Sequence, residues 1–149
     1  MRAIIQKVTS ASVRVDSELI SEIENGYMIL LAVKETDTEK DLDYIKRKIT
    51  NLRIFEDEEG KMNLSLKDTG GEILLVSQFT LYGDARKGNR PSFTMSAGLQ
   101  KANDYYEILK DELISEGFKV SSGVFQAHMQ VSLVNDGPVT IILDSERIF

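Results

Sequence analysis

The chain has 149 residues, no cysteine, one histidine and a formal net charge of −6. Without cysteine there is no disulfide, no thiolate metal site and no cysteine nucleophile, and the acidic balance argues against a broad basic stripe for duplex nucleic acid. Apolar residues make up 42% and charged residues 28% of the chain, an ordinary globular mixture; no linker divides it, so a single domain over residues 1–149 is expected.

Residues 1–7 lack the long apolar stretch of a signal peptide. The longest apolar run, residues 27–33, is too short to span a bilayer. A cytoplasmic protein is expected.

The first third predicts antiparallel strands. Val13 and Val15 alternate with Arg14, and Asp16-Ser17 supplies a turn. Leu19, Ile20 and Ile23 continue the apolar pattern, and Asn25-Gly26 is a hairpin signal because both residues tolerate positive φ. Residues 27–33 then read as a strand buried on both faces. A helix follows, with Thr36 and Glu39 at capping-box spacing, Asp37 and Asp41 near its N-terminus, and Leu42, Ile45, Ile49 and Leu52 on one face.

Arg53-Ile54-Phe55 restarts a strand, and the acidic run Glu56-Asp57-Glu58-Glu59 with Gly60 turns it. Gly70-Gly71 ends the next loop ahead of a strand over residues 72–76. The stretch 82–93 is the longest irregular one and holds Gly83, Gly88 and Pro91. A second helix is predicted over roughly residues 97–116, with Leu99, Ala102, Tyr106, Leu109 and Leu113 inward and Gly117 stopping it. Two last strands, around 129–134 and 139–143, flank a turn at 135–138. The order of elements predicts a mixed α/β fold, a sheet covered by two helices.

His128 is the only neutral-pH base, read as a strand residue with a satisfied imidazole. A triad of Ser77, His128 and Asp136 is conceivable, but nothing in the spacing supports it. One histidine and scattered carboxylates give no metal-ligand motif, and no phosphate-binding glycine loop is present, so no metal and no cofactor are expected. Arg86, Lys87 and Arg90 fall within five residues; they form either a solvated loop or a small phosphate contact.

Two segments carry more. Ser77-Gln78-Phe79-Thr80-Leu81 ends an apolar strand in two hydroxyls, an amide and a ring, and backbone N–H groups at such a strand end can converge on one acceptor. Asn135-Asp136-Gly137-Pro138-Val139-Thr140 puts Gly-Pro between strand-like runs; a cis bond there would hold two carbonyl oxygens in a fixed orientation.

Together these segments resemble the signature motifs of the D-aminoacyl-tRNA deacylase family. Arg53-Ile54-Phe55 with Gly60-Lys61-Met62-Asn63, Arg90-Pro91-Ser92-Phe93, and the run from Met129 through Val134 agree with it. The resemblance implies a three-layer fold, a mostly antiparallel sheet with two helices on one side. It implies hydrolysis of the ester of D-aminoacyl-tRNA, and of glycyl-tRNA mischarged on tRNA-Ala, with L-amino acids rejected through a Gly-cisPro motif. It implies a homodimer with sites at the subunit interface, and tRNA as partner through its aminoacylated acceptor end.

Residue by residue, the resemblance assigns catalysis to Ser77, Gln78, Phe79 and Thr80, substrate binding to Gly137, Pro138, Phe125 and Met129, and tRNA binding to Arg86, Lys87 and Arg90. Within the family the Thr80 hydroxyl and the RNA's own 2′-hydroxyl compete for the central role. Two departures stand out: Lys7 where many members carry arginine, a looser contact than a bidentate fork, and His128 where relatives are often non-ionisable. A binding module for charged RNA ends and a small-molecule esterase using Ser77 or Thr80 are the alternatives.

Overall fold

The computed structural model describes residues 1–148. Strand β1 (Arg2–Val15) is the spine of the fold. Residues 2–8 pair antiparallel with β3 (Gly26–Ala32), and residues 11–15 pair with β2 (Glu18–Ile23). Its other edge pairs over almost its whole length with β8 (Gln130–Asp144). Strand β6 (Glu72–Ser77) runs parallel to β3, and β7 (Val120–Ser122) runs parallel to β6. Among the described residues these six strands form one sheet, ordered β2-β1-β3-β6-β7 with β8 beyond β1. The ends of that order meet: the Ser21 hydroxyl of β2 donates to Ser122 O of β7 at 2.9 Å, so the sheet is nearly closed.

The sheet separates two apolar clusters. Ala3, Ile5, Tyr27, Ile29, Ile73 and Leu75 face α1 (Glu39–Asn51) and a long C-terminal helix, Leu99–Ser115. Val8, Val13, Ile23, Met28, Leu74 and Val76 fill the inside of the curl. Alternate residues of β1, β3 and β6 thus serve opposite faces, as the two-residue period of a strand requires. Both long helices cover one face, as expected.

Four local expectations are corrected. Asn25-Gly26 closes no hairpin, because β2 and β3 each pair with β1 and not with each other. The glycine is needed for a close approach instead, since a Cβ on Gly26 would lie 1.9 Å from Glu72 O. Helix α1 is capped by Thr38 and Asp41 rather than Thr36 and Glu39; the Asp41 carboxylate accepts from Thr38 N at 2.8 Å. Asp37 is already engaged, accepting from the Met1 amine and from Lys34 N, each at 2.6 Å. Between the hairpin of β4 (Phe55–Glu56) with β5 (Met62–Leu64) and β6 lies an unpredicted one-turn helix, α2 (Leu66–Thr69), capped by Ser65 and closed on Gly70 at φ 66°. The C-terminal helix is α3.

The fourth correction concerns segment 135–138. It does not turn the chain between two strands; β8 passes through it as one strand against β1. Gln6 pairs with Thr140 and Val8 with Asn135, so residues 136–139 bulge out opposite Lys7 alone. Turn residues here make a bulge, which a long strand accommodates without reversing.

Candidate active site

The buried strand β6 delivers Ser77 to the rim of the sheet beside the end of β3. Gln78 N donates to Leu31 O at 2.7 Å, and the chain then breaks into a 3-10 turn, Phe79–Tyr82. Leu81 N closes on Gln78 O and Gly83 N on Thr80 O. The N–H groups of Phe79 and Thr80, first in that turn, have no acceptor among the described residues, as helix geometry demands of first-turn donors.

Three segments are stitched around this corner. Ala97 N donates to Val33 O at 2.9 Å, the Ser96 hydroxyl to Phe79 O at 3.0 Å, and Gly98 N to the Glu35 carboxylate at 2.9 Å. They enclose a cleft of about 620 Å³ whose far wall is the segment before and into β8, with Phe125, His128 and Met129. Tyr106 of α3 lines it too; its hydroxyl donates to Leu75 O at 2.8 Å, and burial pushes its pKa up to about 12, so it remains a neutral donor. Phe93 lines the mouth, edge-on to Phe79 at 5.2 Å between centroids.

The cleft therefore brings together Ser77, Gln78, Phe79, Phe125 and Met129 from the residues singled out in the sequence. Thr80 sits one residue further on, exposed, its hydroxyl accepting from the Gln78 amide. His128 is not in a strand; it lies exposed in the loop before β8, facing the cleft, with no side-chain hydrogen bond among the described residues. No Ser77–His128–Asp136 triad forms: Asp136 pairs with Lys7. Tyr106 and Phe93 escaped the sequence reading. Tyr106 falls at core spacing on α3, and nothing in that spacing distinguishes a cleft wall from a core.

Gly137 and Pro138 are exposed and lie outside the cleft of their own chain. Their peptide bond is cis. The bulge is held at its neck by Asn135, whose amide donates to Lys7 O and to Val139 O, both at 2.9 Å. Lys7, 4% exposed, reaches Glu56 of β4 at 2.6 Å and Asp136 at 2.9 Å. Burial opposes its charge, but bonds to Glu56 and Asp136 outweigh that and hold its pKa above the usual lysine value. The lysine thus makes two separate ion pairs in place of a fork.

Arg86, Lys87 and Arg90 stand exposed on a loop pinched by the Asp84–Ser92 bridge. Arg86 is neutralised by Asp84, at 2.8 and 2.6 Å, and the guanidinium holds that carboxyl well below the usual carboxylate range. Lys87 and Arg90 have no ion-pair partner among the described residues. The free charge of the loop is two, not three.

A family model described as D-Tyr-tRNA(Tyr) deacylase matches residues 4–144. The chain belongs to the D-aminoacyl-tRNA deacylase family. As a member it is an enzyme, a hydrolase acting on aminoacyl-tRNA. It is 58% identical to the D-aminoacyl-tRNA deacylase of Kosmotoga olearia and 54% identical to that of Thermosipho africanus, each over the full length of both chains. Among solved structures, one titled c-Myc DNA Unwinding Element Binding Protein is 44% identical, with a TM-score of 0.91 over 97% of this chain and 98% of that one. A second, titled as a probable eukaryotic D-amino acid tRNA deacylase, is 17% identical with a TM-score of 0.81 over 95% and 97% of the two chains, a likeness of fold. Among the described residues no helix is long and apolar enough to cross a membrane.

Proposed function

We propose that this chain hydrolyses the ester bond of D-aminoacyl-tRNA, and of glycyl-tRNA mischarged on tRNA-Ala, releasing the free amino acid and tRNA. It works in the cytoplasm as one deacylase domain over residues 1–149, assembled as a homodimer. The observation that carries the reading is the corner at 77–80: Ser77, Gln78 and Phe79 line a cleft, the backbone N–H groups of Phe79 and Thr80 at its edge are unengaged, and no nucleophile–base pair is formed. Such donors hold the ester carbonyl oxygen as charge develops on it. With Gln78, an amide, as the partner of the Thr80 hydroxyl, the proton of the attacking water is relayed by the substrate: the 2′-hydroxyl of the terminal adenosine accepts it while passing its own proton to the departing 3′-oxygen.

Chirality follows from a second fixed point. Gly137 and Pro138, exposed on a side-chain-anchored bulge and outside their own cleft, reach into the cleft of a second copy and take the α-ammonium through their carbonyl oxygens. With ammonium and ester carbonyl both held by main chain, an L side chain meets backbone and is excluded whatever its identity. A D side chain points outward and is accepted, and glycine has nothing to exclude. Phe125 and Met129 contact the terminal nucleotide, and Lys87 and Arg90 carry the phosphate contact of the loop. Incubation with D- and L-tyrosyl-tRNA at limiting enzyme tests this: the D form is cleaved and the L form is not, and comparable cleavage of both would end the chiral reading.

A further inference from the structure

An acidic protein that handles RNA has to gather its positive charge locally, and one place where this happens lies away from the cleft. The C-terminal half of α1 and the segment after β8 form a depression of about 680 Å³. Its charged lining is Arg47, Lys48, Arg53 and Arg147, with Tyr44 and Asn51 between them; the carboxylates nearby, Glu39, Asp41, Asp43 and Glu146, line the adjoining depression that shares Tyr44, Arg47 and Arg147. Two of these cations share one ring: Lys48 Nζ lies 5.7 Å and the Arg147 guanidinium 5.3 Å from the Tyr44 centroid. Arg53 is aimed by neutral partners, with the Asp68 carboxylate near enough to feel its charge but not paired with it. It donates through Nε to Asn63 O at 2.7 Å and through its terminal nitrogen to the Asn63 side-chain oxygen, both uncharged acceptors. Among the described residues neither Lys48, Arg53 nor Arg147 has an ion-pair partner; only Arg47 does, with Asp43 at 3.1 Å. Arg147 takes up φ 57°, a conformation rare for a side chain of its size.

Converging like charges repel unless an anion joins them. Arginine, lysine, asparagine and tyrosine are the side chains that hold phosphate oxygens along a nucleic-acid backbone. The position fits a polymer better than a small anion. Helix α1 starts next to Asp37, which binds Lys34 N beside the cleft wall at Val33. The residues of α1 that line the depression, Tyr44 to Asn51, lie roughly 8 to 18 Å along the helix from its start, at about 1.5 Å per residue. A ligand engaged in both places is long and repeatedly charged. We infer that this basic depression is a second RNA contact, which binds the phosphate backbone of the same aminoacyl-tRNA whose charged end occupies the cleft. The inference rests on the proposed function for the identity of that RNA.

The test is a triple variant, Lys48→Gln, Arg53→Gln and Arg147→Gln, beside a charge-keeping one, Lys48→Arg, Arg53→Lys and Arg147→Lys. Binding of uncharged tRNA is followed by fluorescence anisotropy across a salt series, and cleavage with D-tyrosyl-tRNA and with D-tyrosyl-adenosine. The glutamine variant is expected to bind tRNA about tenfold more weakly and to lose about 2 from the magnitude of its log–log salt slope, at 0.7–0.9 per phosphate. Its KM for D-tyrosyl-tRNA rises in step with kcat unchanged. Cleavage of D-tyrosyl-adenosine, too short to reach the depression, stays as in the wild type, and the charge-keeping variant keeps most of the affinity. An unchanged affinity and salt slope in the glutamine variant would overturn the inference, as would an equal loss on both substrates. If the wild type cleaves neither D-tyrosyl substrate, the proposed function has failed, and the anisotropy series still decides the depression by itself.

Discussion

The two signature segments are built by opposite means. The corner at 77–80 is held by main chain: Gln78 N on Leu31 O, Leu81 N on Gln78 O, Gly83 N on Thr80 O, with Ser96 bracing Phe79 O. The bulge at 135–139 is held by side chains: the Asn135 amide at its neck, and Lys7 between Glu56 and Asp136 at its flank. The first arrangement is main chain at its centre, with Arg2 donating to Leu81 O at 3.0 Å and Glu35 accepting from Gly98 N at its edge; none of its backbone bonds is closed by a side chain of residues 77–80. The second depends on one amide and three charges. On the proposed function the corner performs the chemistry and the bulge chooses the substrate, so rate and selectivity respond to different perturbations.

The largest expected effect separates chemistry from protein side chains altogether. With the RNA 2′-hydroxyl in the role of proton acceptor, D-tyrosyl-tRNA ending in 2′-deoxyadenosine loses a contribution of general-base size, a factor of roughly 10²–10⁴ in single-turnover rate. Cleavage within threefold of the ribose substrate would show that the corner relies on a protein base after all.

Next comes the neck of the bulge. Asn135→Ala removes both donors at once and leaves Lys7 O and Val139 O without partners, a cost of about 1–3 kcal/mol for each buried acceptor. The ratio of kcat/KM for D- over L-tyrosyl-tRNA should fall at least tenfold, because the bulge no longer has one shape. A variant that is destabilised yet keeps its selectivity would detach the bulge from chiral choice.

The charged flank gives a smaller, pH-dependent effect. Lys7 has a raised pKa, so its contribution is whole below the ordinary lysine value of 10.5 and is lost as pH rises through the folded value. Glu56 is lowered, chiefly by its hydrogen bond from Lys7, so its contribution is whole above 4.5 and is lost as pH falls through its folded value. The window between holds both. The thermal midpoints of the wild type and Lys7→Met should therefore differ most between pH 6 and 9, and the gap should narrow on going down to pH 4. A gap independent of pH would mean that Lys7 acts there by packing alone.

Much of the helical part was legible from residue spacing. Leu42, Ile45 and Ile49, and Tyr106, Leu109 and Leu113, are buried as periodicity indicates; Leu99, placed on the same inward face, is exposed at the first turn of α3. The strand connections were not, and for one reason. Asn25-Gly26 and Asn135-Asp136-Gly137-Pro138 both have turn chemistry, and turn chemistry says nothing about what the flanking strands pair with. Here they pair with β1, whose two edges serve three strands. The helix cap slipped by two residues because Asp37 answers to Met1 and Lys34, partners that only the fold brings near. Of the residues that line the cleft, Ser77, Gln78, Phe79, Phe125 and Met129 were indicated by the motif resemblance; Tyr106 was hidden by a spacing it shares with core residues, and the pairing of Arg86 with Asp84 is one that spacing alone does not announce.

The smallest expected effect is the one that most sharpens the contrast between the segments. Thr80 carries the hydroxyl that a nucleophilic mechanism would need, and deletion of a true nucleophile costs several orders of magnitude in the single-turnover rate. The structure gives that hydroxyl an amide for a neighbour, not a base, and His128, across the cleft, makes no hydrogen bond to Thr80. The turn does not depend on the side chain either, since Gly83 N closes on the main-chain oxygen of Thr80. Thr80→Ala therefore keeps the backbone donors in place and should lower the rate on D-tyrosyl-tRNA by no more than about fivefold, on the order of 1 kcal/mol for one lost side-chain hydrogen bond. The decisive experiment measures this variant beside the 2′-deoxy substrate. A folded but inactive Thr80→Ala protein, together with normal wild-type cleavage of the deoxy substrate, would move the chemistry from main chain and RNA to the threonine, and would leave the corner as a scaffold for its own side chain.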